Sequence, residues 1–185
     1  SSTLSIIDIT NPAVPKIISS VGVSSGASSV YVSGRYAYVG RSTGIRVLDI
    51  SNPASVTVVS NYATGGDVTH LSGSGKHIYA QSGQNLQVID ISNPASLSTL
   101  SSLNVGLCPS GAFVSGRYVY TVDCGPNTLS ITDVGNPYSI ATTSDSIGTN
   151  TTPSDVYVSG RYAYVVAEDA DTVRIIDISN PAAPA

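Results

Sequence analysis

An internal repeat of 41–44 residues constrains this chain more than any other feature. The tract RVLDISNPA (46–54) recurs as SIIDITNPA (5–13), QVIDISNPA (87–95), SITDVGNPY (130–138) and RIIDISNPA (174–182). Its aspartate falls at Asp8, Asp49, Asp90, Asp133 and Asp177, in steps of 41, 41, 43 and 44 residues. A second tract alternates with it: VYVSGRYAYV (30–39 and 156–165), LSGSGKHIYA (71–80) and AFVSGRYVYT (112–121), with turn glycines at Gly34, Gly75, Gly116 and Gly160. A period of this length means that each repeat is one supersecondary unit, which buries its apolar surface only by stacking on its neighbours.

Within one period, residues 30–60 contain four short runs rich in Val, Ile and Tyr: VYV, YAYVG, IRVLDI and VTVVS. Gly, Ser, Asn and Pro separate them, which is the chemistry of strands joined by turns. No 3.6-residue apolar period extends over ten residues, so helices are not expected. In IRVLDI apolar side chains point both ways, as in a sheet covered on both faces. Four antiparallel strands (a to d) repeated every 41–44 residues describe the blade of an all-β propeller. The expected organisation is one domain over 1–185, about four blades, with repeats anchored at 8–48, 49–89, 90–132 and 133–176 and a final strand segment running to 185.

The alternation of SGRYAYV with RVLDISNPA or RIIDISNPA resembles the LVIVD repeat, named for its strand-c consensus, and the resemblance covers essentially the whole chain. It implies a β-propeller and a place on the surface of bacterial or archaeal cells. It implies no activity and no catalytic residues.

The chain opens in a strand c (3–9) and closes just after another (173–178), giving 17 strands where a four-bladed ring closed by strand exchange needs 16. One strand c is therefore redundant. Three arrangements answer this: the first strand is displaced, the repeats belong to a longer array, or the open ends pair with neighbouring chains, because an unpaired edge templates association. The chain has no Met and begins at Ser1, so it is read as a processed product or an excised piece.

Insertions between periods fall in the b-to-c loops and the last d-to-a connection, which emerge on one rim of an up-and-down blade. The repeated motifs line the other. Loops on a rigid scaffold are where function tends to sit. The candidate contacts are therefore Asp67, His70, Asp123, Glu168, Asp169 and Asp171.

The five repeated aspartates are read as structural, because Asp, Ser and Asn before Pro fold onto nearby backbone N–H groups. Arg35, Lys76, Arg117 and Arg161 share their rim, placed for pairing with them or for solvation. Cys108 and Cys124 interrupt one period only. The turn at Gly116 and Arg117 sets them opposite each other across strands a and b, and a disulfide is the main reading, favouring an oxidising compartment. Two buried thiols or a metal site are the alternatives, the latter lacking C-x-x-C spacing. His70 and His77 form no known ligand spacing. Glu168, Asp169 and Asp171 lack the glycine and distal glutamate of an EF-hand. No metal, cofactor or catalytic residue is nominated. NTT at 150–152 fits an N-glycosylation acceptor.

Charged residues make up 11% of the chain, with a net charge of -4, so the basic patch of a nucleic-acid binder is missing. No apolar run reaches the length of a membrane-spanning helix. The expected protein is a secreted or surface-displayed, non-catalytic structural or interaction module whose partners are other protein copies or surface molecules, with neither nucleic acid nor membrane insertion. A glycan- or protein-binding propeller is the alternative, and a propeller hydrolase is a weaker one. At the inner end of strand a, Ser29, His70, Gly111 and Asp155 supply only two groups suited to catalysis.

Overall fold

The structure, a computed structural model, describes residues 2–24, 26–149, 152–168 and 171–185. Every regular element longer than a turn among them is a strand, and there are 17. Blade one holds β1 (Ser2–Asp8) and β2 (Lys16–Ser24). Blade two holds β3 (Ser29–Ser33), β4 (Tyr36–Arg41), β5 (Gly44–Asp49) and β6 (Thr57–Tyr62). Blade three holds β7 (Val68–Ser74), β8 (His77–Ser82), β9 (Asn85–Asp90) and β10 (Ser98–Asn104). Blade four holds β11 (Pro109–Ser115), β12 (Tyr118–Asp123), β13 (Thr128–Asp133) and β14 (Ala141–Gly148), and blade five β15 (Pro153–Ser159), β16 (Tyr162–Ala167) and β17 (Thr172–Asp177).

Each blade is an antiparallel meander in chain order. The end blades are incomplete: blade one is a c–d pair and blade five an a–b–c triplet. The first strand is not displaced, as one of the expected arrangements had it, because β1 pairs along its length with β2. Nor does the ring close by strand exchange, for β17 pairs only with β16 and its d-side edge is open.

The hairpin glycines have a local reason to be there. Ser33 pairs with Tyr36, Ser74 with His77, Ser115 with Tyr118 and Ser159 with Tyr162, leaving a two-residue loop each time. Gly34, Gly75, Gly116 and Gly160 take φ of 57°, 60°, 59° and 59°, while the Arg or Lys that follows stays out of the left-handed region. Positive φ at the first loop residue alone is the type II′ hairpin, whose twist matches that of the strands.

The core lies between blades. Tyr38, Ile45 and Val47 of blade two pack on Val68, Leu71, Ile78, Ala80 and Ile89 of blade three. Tyr79, Leu86 and Val88 of blade three meet Ala112 and Val119 of blade four, and Tyr120, Val122, Leu129 and Ile131 of blade four meet Val156, Val158, Ala163, Val165 and Ile176 of blade five. In every contact the second and fourth residues of strand c face the following blade and the fifth faces the preceding one, which is why an LVIVD-like strand is apolar on both sides. Hydroxyls add a stitch: Ser19, Ser60 and Ser101 on strand d each donate to the carbonyl of the turn proline in the next blade, Pro53, Pro94 and Pro137, at 2.5–2.6 Å.

Candidate functional site

The repeated aspartates are occupied by the scaffold. Oδ1 accepts the backbone N–H two residues on in every copy: Thr10 to Asp8, Ser51 to Asp49, Ser92 to Asp90, Gly135 to Asp133 and Ser179 to Asp177, at 2.7–2.9 Å. The following asparagine repeats the device, with Asn11, Asn52, Asn93, Asn136 and Asn180 each accepting from the residue two positions later. Such Asx turns satisfy backbone groups that the bend would otherwise strand. On the same rim Arg35 pairs with Asp49, Arg117 with Asp133 and Arg161 with Asp177. Each guanidinium also lies 5.1–5.6 Å from the ring of the tyrosine that follows it. Three of the four basic residues at the hairpin turns are thus paired with the rim's own aspartates.

These contacts favour the ionised carboxylates. The Arg35 hydrogen bond holds Asp49 far below the ordinary range, with Ser51 adding to it, and the Arg117 hydrogen bond lowers Asp133. At Asp8, Asp90 and Asp177 hydrogen bonds from Thr10, Ser92 and Ser179 lead. A carboxylate whose folded pKa is depressed contributes stability that is complete above its unfolded value of 3.8 and is lost as pH falls through the folded one. The thermal midpoint is expected to decline gently between about pH 7 and about pH 5, where the unfolded chain protonates His70 more readily than the folded one, and to fall steeply below about pH 4; a midpoint indifferent to acid would show that the turns hold without their charges.

On the opposite rim the candidate contacts are dispersed. Asp67 is exposed, and its carbonyl accepts from Gly83 N–H at 3.0 Å. His70 is half-buried on β7, and burial pushes its pKa down against the opposing attraction of Asp155. Glu168 and Asp171 are exposed, and Asp171 sits in the left-handed region at φ 48°. Asp169 lies outside the described residues, as do Asn150 and Thr151 of the glycosylation pattern. Among the described residues no three of His, Cys, Asp and Glu come together in a group able to hold a metal ion.

Asp123 is a correction. It was expected as a surface contact, yet it is 3% exposed, and its Oδ1 accepts from Cys108 N–H at 3.2 Å and Gly125 N–H at 2.8 Å. It braces the loop from within. Cys108 and Cys124 form a disulfide with Cα atoms 5.3 Å apart, beside a backbone hydrogen bond from Cys124 N–H to Cys108 C=O. The b-to-c loop of blade four is thus tied to the connection that enters β11 by a covalent bond and a buried carboxylate.

The largest departure from an ordinary protein surface lies at the two ends of the blade stack. Val173 and Ile175 of β17 are 60% and 63% exposed, although their counterparts Ile45, Val47, Leu86, Val88, Leu129 and Ile131 are fully buried. Val30 and Val32 of β3 are 50% and 53% exposed, whereas Leu71, Ala112, Val156 and Val158 at the same repeat positions are buried. Sequence reasoning missed these surfaces because the pattern is identical in buried and exposed copies.

A family model for the LVIVD repeat matches residues 1–23, 25–64, 65–105, 111–144 and 152–185. The chain belongs to the LVIVD-repeat family. The β-propeller architecture of its blades is shared with solved proteins of low sequence identity. A functionally unknown protein from Desulfotomaculum acetoxidans superposes with a TM-score of 0.82 at 18% identity, over 99% of this chain and 61% of its own. A protein from Lactobacillus plantarum gives 0.83 at 14% identity, over 95% of this chain and 60% of its own. A Bacteroides fragilis protein with the provisional name 6-phosphogluconolactonase gives 0.79 at 14% identity, over 95% and 60%. This LVIVD-repeat chain thus spans about 60% of the length of each of the three. No curated protein matches its sequence.

Proposed function

We propose that this LVIVD-repeat chain is a non-catalytic structural and interaction module of the cell surface or extracellular space, and that it associates with other copies of itself. The observation that supports this reading is the pair of uncovered apolar blade faces, at β3 and at β16–β17. A contiguous apolar face of blade-core composition marks a surface that meets another protein. The open edge of β17 adds unpaired backbone groups of the kind that recruit a further strand. A disulfide suits an oxidising compartment, and no helix among the described residues is long and apolar enough to cross a membrane; both fit the proposed location. Sedimentation velocity at increasing micromolar concentration tests the reading. The mean mass is expected to rise with concentration, and a constant monomer mass would overturn it.

A second reading is favoured by the stapled loop of blade four. Leu107 stands exposed on the connection from β10 to β11, next to Cys108 and against that loop, and a loop held in one conformation loses little ordering entropy on binding a glycan or protein ligand. Hydrolysis has less behind it. The neighbour with the lactonase name shares the fold at 14% identity, and at the inner end of strand a His70 and Asp155 are the titratable groups, of which Asp155 Oδ1 already accepts from Val156 N–H.

A further inference from the structure

We propose that the cleft between blades two and three, on the rim of the repeated motifs, is a binding site for an acidic sugar, a pyranose that carries one carboxylate. The site lies between two complete blades and does not depend on the self-association reading. The cleft has a volume of about 460 Å³, with Ser33, Tyr36 and Tyr38 of blade two on one side and Lys76, Ile91 and Pro94 of blade three on the other. Its size falls within the range of small-molecule sites, roughly 300–1,000 Å³.

The cation of this cleft differs from its counterparts. At the equivalent place between blades three and four stands Arg117, and between blades four and five Arg161. Both are held twice, by ion pairs with Asp133 and Asp177 and by the rings of Tyr118 and Tyr162 at 5.6 and 5.1 Å. Lys76 is followed by His77 in place of the tyrosine, and among the described residues it takes part in no ion pair. Asp90 is held by Ser92, whose N–H donates to Oδ1 at 2.7 Å; the Ser92 hydrogen bonds lead in lowering its pKa, and the attraction of Lys76 comes last. The backbone of Lys76 is fixed, because Gly75 makes the hairpin turn at φ 60° and Ile91 N–H donates to Lys76 C=O at 2.9 Å. An exposed ammonium outside any ion pair therefore borders the cleft.

The walls select the ligand. Tyr36, Tyr38, Ile91 and Pro94 offer rings and apolar surface to the C–H face of a pyranose, while Ser33 and the phenols supply hydroxyls that donate or accept. One ammonium is a point charge that suits one carboxylate; a phosphate is matched better by the forked guanidinium of arginine. The walls are also preformed. Tyr38 and Ile91 are buried in the core shared by the two blades, and Ser60 Oγ donates to Pro94 C=O at 2.6 Å, so little ordering is left to be done on binding.

An NMR titration with D-glucuronate to about 10 mM tests the site. Saturable shifts are expected at the amides of Ser33, Tyr36, Gly75, Lys76 and Ser92, with weaker responses to D-glucose and to acetate. Lys76→Gln, at an exposed position, is expected to weaken glucuronate binding about tenfold, as for loss of one charge-assisted hydrogen bond. Lys76→Arg is expected to weaken it as well, because the arginine of this repeat folds onto its aspartate, whereas Arg117→Gln leaves it unchanged. Circular dichroism confirms that each variant folds. Absence of a saturable shift with glucuronate, acetate binding as tightly as glucuronate, or undiminished binding in either Lys76 variant would overturn the proposal. Shifts at these residues with a glutamate peptide but not with glucuronate would make the cleft a protein-binding surface and overturn it too.

Discussion

Leu129→Ala is expected to cost about 2–5 kcal/mol of unfolding free energy, the range for removing a buried leucine side chain and leaving a partly collapsed cavity. Leu129 is fully buried between blades four and five, packed with Val156, Val158, Val165 and Ile176. Its repeat counterpart Val173 is truncated by Val173→Ala, and there the expected change in dilute solution is within about 0.5 kcal/mol, as for an ordinary surface substitution. Sequence gives no reason for such a contrast, since the two residues occupy the same place in the same motif. The contrast follows because stability in stacked repeats comes from neighbour interfaces, and blade five has a neighbour on one side. Denaturant titrations of both variants in dilute solution measure it. Equal losses at the two positions would mean that the outer face of blade five is already covered.

Removal of the disulfide is the other large effect. Cys108 and Cys124 are separated by 16 positions, and closing a loop of that size stabilises by about 3 kcal/mol through the entropy it takes from the unfolded chain. A protein of this size shifts by about 2–4 °C per kcal/mol, so the Cys108→Ser, Cys124→Ser double variant is expected to melt roughly 6–12 °C lower. The loss should be accompanied by local loosening. The hydrogen bond from Cys124 N–H to Cys108 C=O and the grip of Asp123 on Cys108 N–H both depend on the two strand ends being held together. Faster amide exchange at Cys108, Cys124 and Gly125 should therefore appear in the double variant, while β7–β9 keep their protection. A melting point unchanged by reduction would show that the buried carboxylate alone holds the loop.

Much of the fold was legible because the constraint repeats. The spacing of Asp8, Asp49, Asp90, Asp133 and Asp177 defined the blade, and the strands expected at 3–9 and 173–178 lie within one residue of β1 and β17. The hairpin glycines fixed the registers, which in turn set Cys108 opposite Cys124. The remainder depended on what stands outside a residue's own repeat. Val173 and Ile175 read as core from their motif and are 60% and 63% exposed, since among residues 1–185 no blade packs on that face of β17. Asp123 read as a loop charge and is buried because Gly106 and Gly125 let the backbone close around it; a side chain on Gly106 would run into its Oδ2. The serines that donate to the turn prolines stand 11 residues after the motif aspartate in blades one to three, a regular signal hidden in a serine-rich background.

The central claim is that each blade is held by its neighbours through the two-faced strand c, and amide hydrogen exchange tests it most directly. The account predicts that β9 and β13, buried between blades, exchange more slowly than β17, whose Val173 and Ile175 are exposed. Equal protection of β9, β13 and β17 in dilute solution would contradict it.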